Sequence, residues 1–333
     1  MRIMLAILAG LTLAGVATGM AQAQGTGGPG AAPGAEGYPS KPVRIMVGLA
    51  AGGGVDLIAR LVAPKLQLAL GQPFLVENKP GANTIIANEY VARSEPDGYT
   101  LLMGATSGFS MNPHLYAKLP YDPIKDIVPV GGVVVQPLVV VVHPSVPAQS
   151  VKELIAYAKA NPGKLNYGAG ATTFHVATEM FLQMAGIDVS RIPYKGSAPA
   201  AAALVGGEVQ MAVIDSTAVM PHLKSGRVRG LAVTTATRSE LVPGLPTVAE
   251  AGVPGYEMTV NINLFAPAGV PRDIIAKLNA ELKRFVQMPD VREKVTAMGQ
   301  QLVGSSPEEV AAIIRSESAR FGPVIRKANI TIQ

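Results

Sequence analysis

Three consecutive glycines, Gly52-Gly53-Gly54, follow the apolar stretch Arg44 to Leu49 and precede a run in which Leu57, Ile58, Leu61, Val62, Leu66 and Leu70 recur at helical spacing. The stretch reads as a short buried strand, a turn over Ala50 to Gly54 that admits no large side chain, and a helix opening at Asp56. A helix N-terminus carries unpaired backbone N–H groups and the positive end of the helix dipole, and glycines let a ligand reach those groups without meeting a Cβ. The chemistry on offer is capture of a small anion. A tight turn alone would also account for the glycines.

The unit recurs along the chain. Tyr99 to Met103 is a strand running into Gly104-Ala105-Thr106-Ser107-Gly108. Leu165-Asn166-Tyr167 runs into Gly168-Ala169-Gly170-Ala171-Thr172-Thr173 before a helix carrying His175, Met180 and Met184. Arg191 to Tyr194 leads to Lys195-Gly196-Ser197-Ala198-Pro199 and an Ala-rich helix, and Val209 to Ile214 to Asp215-Ser216-Thr217 and a helix reaching Lys224. Strands alternating with helices imply parallel βαβ units, whose ligands bind outside the carboxyl ends of the strands. Uncharged donors in such turns suit a receptor that must release its ligand, since a buried Arg or Lys would be left uncompensated when the site emptied.

Catalysis finds little support in the same residues. Ser107, Ser197 and Ser216 lack a G-x-S-x-G elbow, and the order of elements brings no His and Asp to them. The chain has no Cys, which removes disulfides, thiol catalysis and thiolate metal sites together. Its four His, at 114, 143, 175 and 222, show no metal-ligand spacing. No metal and no cofactor are expected.

Residues 1–23 read as a signal peptide: Arg2, an apolar run from Ile3 to Met20, and Ala21-Gln22-Ala23, cut between Ala23 and Gln24. A retained membrane anchor is the competing reading. Residues 24–37, mostly Gly, Ala and Pro, are expected to be a disordered linker. The longest later apolar run, Ile127 to Val142, is interrupted by Pro129, Gly131, Gly132, Gln136 and Pro137, so it reads as two buried strands and the exported chain as soluble. The roughly 300 residues after the leader exceed what one core usually serves, so two lobes are expected. The polar breaks at Gln136 and Asn261 are the expected hinges. Lys and Arg number 28 against 23 Asp and Glu, net +5, spread without a basic run, which gives no case for nucleic acid. Ser150 and Ser306 open capped helices, and the C-terminal helices read as packing elements without convergent chemistry.

In this order the pieces resemble a substrate-binding receptor of the tripartite tricarboxylate transporter class, the Bug family. The resemblance covers nearly everything from Tyr38 to Ile325. It is carried by YPSKPVRI, AGGGVD at 51–56, LGQPFLVENKPGA at 70–82, PDGYTLLMG at 96–104, NPHLYAKLPYDP at 112–123, VKELIAYAKANPGKLNYG at 151–168, IPYKG at 192–196, LPTVAEAGVPGY at 245–256 and LFAPAGVP at 264–271. It implies an α/β protein of the type II periplasmic-binding-protein fold, two α/β lobes joined by crossing strands with a ligand cleft between. Lobe 1 would hold 38–136 and 261–333, and lobe 2 would hold 137–260.

The resemblance also implies a periplasmic, monomeric receptor, not an enzyme, that delivers a small carboxylate to integral-membrane transporter subunits. By position its ligand loops fall on Ala51, Gly52, Gly53, Gly54, Asp56, Thr106 and Ser107 in lobe 1. In lobe 2 they fall on Gly170, Ala171, Thr172, Thr173, His175, Tyr194, Gly196, Ser197, Ala198 and Asp215, the last suited to a ligand amino or hydroxyl group. Bulk at Gly53 or Gly170 is then expected to abolish binding in a folded protein. Gly48, Leu49 and Ala51 replace the family's usual Pro, Phe and Pro, Asn83-Thr84-Ile85 replaces a Gly-rich run, and the 168–175 loop is about two residues short, which predicts a reshaped pocket. A sensor docking on a signalling ectodomain and an exported serine hydrolase are the alternatives.

Overall fold

The computed structural model describes residues 35–332. The predicted leader and residues 24–34 of the predicted linker lie outside them. Residues 35–37 are not a free leash. The Ala35 N–H donates to the Asp273 carboxylate at 2.6 Å, and Lys277 Nζ donates to the Ala35 carbonyl at 3.1 Å, so this turn is tied to a C-terminal helix.

The first stretch comprises β1 (Val43–Val47), α1 (Gly54–Leu70), β2 (Phe74–Asn78), α2 (Ile85–Ala92) and β3 (Thr100–Ala105). Two single helical turns, α3 (Ser107–Ser110) and α4 (Asn112–Leu115), precede the long strand β4 (Ile127–Val142). The second stretch runs α5 (Val151–Ala160), β5 (Asn166–Ala169), α6 (Thr172–Ala185), β6 (Ser190–Pro193), α7 (Ser197–Val205), β7 (Met211–Asp215), α8 (Ser216–Lys224) and β8 (Arg229–Val233). The chain then returns through β9 (Thr259–Pro267) and finishes with α9 (Arg272–Phe285), α10 (Pro289–Ala297), β10 (Gln301–Leu302) and α11 (Pro307–Lys327). No described helix is long and apolar enough to cross a membrane.

Local chemistry accounts for most boundaries. α1 buries Val55, Ile58, Ala59, Val62, Ala63 and Leu66 and ends where Gly71, at φ 77°, turns its N–H onto the Gln67 carbonyl. Ser150 accepts the Glu153 N–H at the start of α5, and Ser306 with Glu309 closes a full capping box on α11. Ala82, Asn83 and Thr84 all take positive φ, a conformation L-residues adopt only at a cost; the last two belong to Asn83-Thr84-Ile85, where the resemblance expects a Gly-rich run. Asn112 holds that turn, accepting from the Asn83 side chain at 2.7 Å and donating to the Asn83 carbonyl at 3.0 Å.

Ile127–Val142 is one continuous strand, not the two expected. The Gln136-Pro137 break is the point where β4 changes partners. Up to Pro137 it pairs with β9, and with β10 at Val134 and Val135; from Leu138 onward it pairs with β7 and β8. A proline, which lacks an N–H, is tolerated at such a changeover. The full order is β2-β1-β3-β9-β4-β7-β5-β6, with β8 and β10 added on β4.

Each half of this curled sheet is covered on both faces. Leu138, Val140 and Val142 point into one core with Tyr167, Phe181 and Tyr256, while Val139 and Val141 point into another with Leu204 and Ile214. In the other half, Ile45, Val47 and Leu264 face α1 and α9, and Met46, Leu102 and Phe265 face α2 and α11. The result is two α/β lobes joined by the crossing strands β4 and β9, with a cleft between them. α11 spans both: Val310 and Ile314 pack in one lobe, Phe321 and Ile325 in the other.

Candidate functional site

The pairing registers put the strand ends together. β1 and β3 are parallel, and β3 ends at Ala105, opposite Ile262 of β9, which in turn lies opposite Val134 of β4. In the other half β7 runs antiparallel to β4 and ends at Asp215 opposite Leu138, with β5 and β6 parallel to β7. The carboxyl ends of the two sets of parallel strands therefore face each other across residues 134–138, the place where an open α/β sheet offers its helix N-termini to a ligand.

Several of those helices begin without a side-chain cap, α2 and α3 among them. α1, α6 and α7 start behind Gly53, Ala171 and Gly196, which cannot supply one. Their first-turn N–H groups have no intrahelical acceptor, so each presents donors and the positive end of a dipole. Ala51, Gly52 and Gly53 are exposed and Gly54 half-buried; Ala171 and Ala198 are exposed, and Thr172, Thr173, Gly196 and Ser197 half-buried. The β5–α6 and β6–α7 turns touch, the Gly196 N–H donating to the Gly170 carbonyl at 2.8 Å. A Cβ on Gly170 would overlap the Gly196 carbonyl, so this glycine serves the approach of one turn to the other. The expectation that bulk at Gly170 leaves the fold untouched is corrected by that contact.

Asp56 turns inward. Its carboxylate accepts the Gly52 N–H at 2.8 Å and the Asn78 amide at 2.9 Å and pairs with Arg60 at 3.0 Å. Burial alone would raise its pKa, but Arg60, Gly52 and Asn78 outweigh burial and hold the carboxyl below its ordinary range. It shapes the glycine turn and has little left for a ligand. Thr106 is 1% exposed, its N–H donating to the Asn261 carbonyl at 2.9 Å, while Ser107 stays half-buried at the start of α3.

His175 faces its own helix, its Nε2 3.7 Å from Glu179, whose other partner is the Tyr167 hydroxyl at 2.7 Å. His175 and then Tyr167 hold the Glu179 carboxyl below its usual range despite burial. The Tyr194 ring packs over Gly168, and burial followed by the nearby Glu208 charge raises its phenol pKa. Glu208 precedes β7, at the far end from Asp215. Tyr194 thus points away from the facing strand ends, against the expectation that it donates to a ligand.

Asp215 caps α8, its Oδ1 accepting the Ala218 N–H at 2.9 Å and the Gln136 amide at 3.3 Å. Gln136 also donates to Thr217 Oγ1 at 3.1 Å. Ser216 and Thr217 then donate to the carbonyls of Gly299 and Met298, so the start of α8 is bonded to the loop between α10 and β10. Gln300, the last residue of that loop, lies beside Gly54: a Cβ there would sit 3.1 Å from Gln300 Nε2 and 3.6 Å from Gln136 Oε1. Sequence reasoning took Gln136 as a hinge alone and did not single out Gln300. Only the return of β10 to β4 brings Gln300 to α1, and no local pattern announces that. Glu317 was missed too; it is 2% exposed on α11, accepting from Ser110 and Asn261, each at 2.8 Å.

Two hollows lie elsewhere: one of about 760 Å³ along Lys41, Arg44, Lys79 and Tyr90, and one of about 990 Å³ between α9 and the start of α11. Among the described residues no cluster of His, Asp or Glu is arranged to hold a metal ion.

Comparison with known proteins bears on this arrangement. Residues 58–330 match the model of the tripartite tricarboxylate transporter family receptor, TctC. The protein BugT of Bordetella pertussis (strain Tohama I) is 35% identical over 302 residues, 90% of this chain and 93% of that one. R. palustris Rpa4515, solved with adipate, superposes with a TM-score of 0.78 at 36% identity, covering 89% of this chain and all of the other. MatC (Rpa3494) of Rhodopseudomonas palustris, solved with bound malate, gives a TM-score of 0.75 at 30% identity over 86% of this chain and all of the other. With facing strand ends, uncapped helix N-termini and crossing strands of this pattern, the chain belongs to the tripartite tricarboxylate transporter family receptors, the periplasmic solute-binding receptors that include the Bug proteins.

Proposed function

We propose that this protein captures a small carboxylate between its lobes and delivers it to the membrane subunits of a tripartite tricarboxylate-type transporter. The observation that carries the reading is the convergence of the uncapped α1, α6 and α7 N-termini, from both lobes, on residues 134–138 of β4. Backbone N–H groups, with bridging waters, hold the carboxylate. Solved relatives that hold adipate and malate support a carboxylate as the cargo.

In this reading the chain works in the periplasm as a monomer after cleavage between Ala23 and Gln24. Residues 38–136 with 261–333, and residues 137–260, move as two bodies about Gln136 and Asn261, and the closed form is what the transporter recognises. The test is a thermal-shift screen against tricarboxylates, C4 to C8 dicarboxylates, benzoates, phthalates, nicotinate and acidic amino acids. A ligand at about 100 times its dissociation constant stabilises by roughly 2.7 kcal/mol. A hit identifies the cargo class; a flat panel with folded protein overturns the carboxylate reading.

A further inference from the structure

α9 is amphipathic, and its outer face serves two ends. On one side Asp273 and Lys277 hold the turn at Ala35 and Tyr38. On the other, Ala276 and Ala280 stand exposed where a surface helix usually carries long polar side chains. With Val128, Ile275 and Ala311 they line the hollow of about 990 Å³ between α9 and the start of α11. This hollow is away from the cleft: Asn261 accepts from Thr106 at the strand ends that face the cleft, whereas Val128 lies opposite Ala266, near the other end of β9. Two cations at the hollow are unspent. Arg272 and Lys283 stand about three turns apart on one face of α9, roughly 16 Å along its axis, and neither forms a salt bridge among the described residues, while Arg284 next to them is paired with Glu281. Glu308 is the one anion among the lining residues, so positive charge is in excess. Asn279 lies on the same wall and is 8% exposed. Its amide nitrogen donates to the Val130 carbonyl at 2.9 Å and the Ser305 carbonyl at 3.2 Å, which fixes the amide's orientation, and its oxygen accepts from no described residue. The wall therefore holds a largely buried acceptor without a donor.

We propose that the hollow between α9 and α11 receives an extended segment of a partner protein, apolar at its centre and acidic at both ends. An extended chain keeps backbone N–H groups free and can donate one to Asn279, whereas a helix has spent its own internally. At about 3.3 Å per residue, acidic side chains some five positions apart meet Arg272 and Lys283 together. The small side chains at Ala276 and Ala280 let that backbone come close, and the apolar residues between the acids lie against Val128, Ile275 and Ala311. Arg272, Ala276, Ala280 and Lys283 are all exposed, so the hollow is a trough open along α9, a shape that suits a length of chain better than a small molecule, which needs enclosing walls. The trough belongs to the lobe that carries β1 to β3, since α9 and the start of α11 pack on that half of the sheet. A segment held there touches one lobe only, so its binding is independent of the cargo and of lobe closure.

The test is fluorescence anisotropy with two labelled, end-blocked peptides, Glu-Leu-Val-Leu-Val-Glu and Lys-Leu-Val-Leu-Val-Lys, titrated with the full exported chain at low salt. The acidic peptide is expected to bind about tenfold or more tighter than the basic one, and N-methylation of its backbone to weaken it by about tenfold. Lys283→Glu is expected to weaken it by about tenfold as well. Ala280→Trp, and Ala276→Trp as a second variant should the first fold poorly, fill the trough and are expected to abolish binding. Equal binding of the two peptides, binding that survives both tryptophan variants, or no binding of the acidic peptide overturns the proposal. A dimer in sedimentation that Ala280→Trp dissolves gives the trough to a second copy of this chain and overturns it too.

Discussion

Gly53 and Gly170 stand at matching places in the two lobes, yet a side chain does different things at each. A Cβ on Gly53 would meet only the Ala50 carbonyl at 3.5 Å, and the φ of −77° there suits any residue. Gly53→Val is therefore expected to block the α1 N-terminus, abolishing carboxylate binding, with the stability of the free protein within about 0.5 kcal/mol of wild type. Gly170→Ala is expected to lower stability by about 1 to 3 kcal/mol by prising the β5–α6 turn from the β6–α7 turn. Denaturation curves with calorimetric titration separate the two; normal binding by Gly53→Val would put the anion site elsewhere. The same contrast marks how far single residues were legible. Glycine, alanine and serine at helix starts were readable because their meaning is local. The roles of Asp56 and Tyr194 depended on partners farther along the chain, Asn78 and Glu208, which their sequence neighbours do not disclose, whereas His175 turns to Glu179, one helical turn on along the same face.

At the scale of elements, α11 departs most from its expected role. Read as a packing helix, it carries Glu317 into the junction of α3 with β9, between the segments that reach the two lobes. Burial raises the Glu317 pKa above its ordinary 4.5, with Thr106, Ser110, Asn261 and Arg320 opposing; Arg320, one turn on, is itself paired with Glu257 at 3.0 Å. The folded protein then holds a proton that the unfolded chain has released, so stability falls as pH rises from about 4.5 through the folded-state value. Glu317→Gln is expected to flatten that fall, and Glu317→Ala to cost about 1 to 3 kcal/mol at low pH by removing the buried carboxyl that accepts from both Ser110 and Asn261, which keep only the Thr106 carbonyl and Thr259 Oγ1. Urea denaturation of wild type and Glu317→Gln from pH 4.5 to 8 checks the sign: a stability difference that does not change with pH would show that Glu317 does not titrate there. The βαβ units were legible because strand, turn and helix follow one another in sequence. The unbroken β4, the two-residue β10 and the burial of Glu317 were not, since each is decided by pairing with residues more than a hundred positions away.

Across the whole molecule, three segments pass between the lobes, β4, β9 and α11, and two of them reach their places only late in the chain. Of the four core faces, only the one built on Val139 and Val141 has all its buried members between residues 139 and 228. The others wait for Ile262 to Val295, for Val310 and Ile314, or for Phe321, Ile325 and Ile330. Removing α11 by ending the chain at residue 305 is therefore expected to abolish the cooperative thermal transition seen by circular dichroism, and a sharp transition in that truncated chain would show that the helix is peripheral. The central position of β9, between β3 and β4, gives folding a direction as well. A chain that emerges N-terminus first can finish one core face early and must keep the rest of its apolar surface open until its last helix is free. Such non-local closure folds slowly, and a chain that stays unfolded until its end appears is one that can still be threaded.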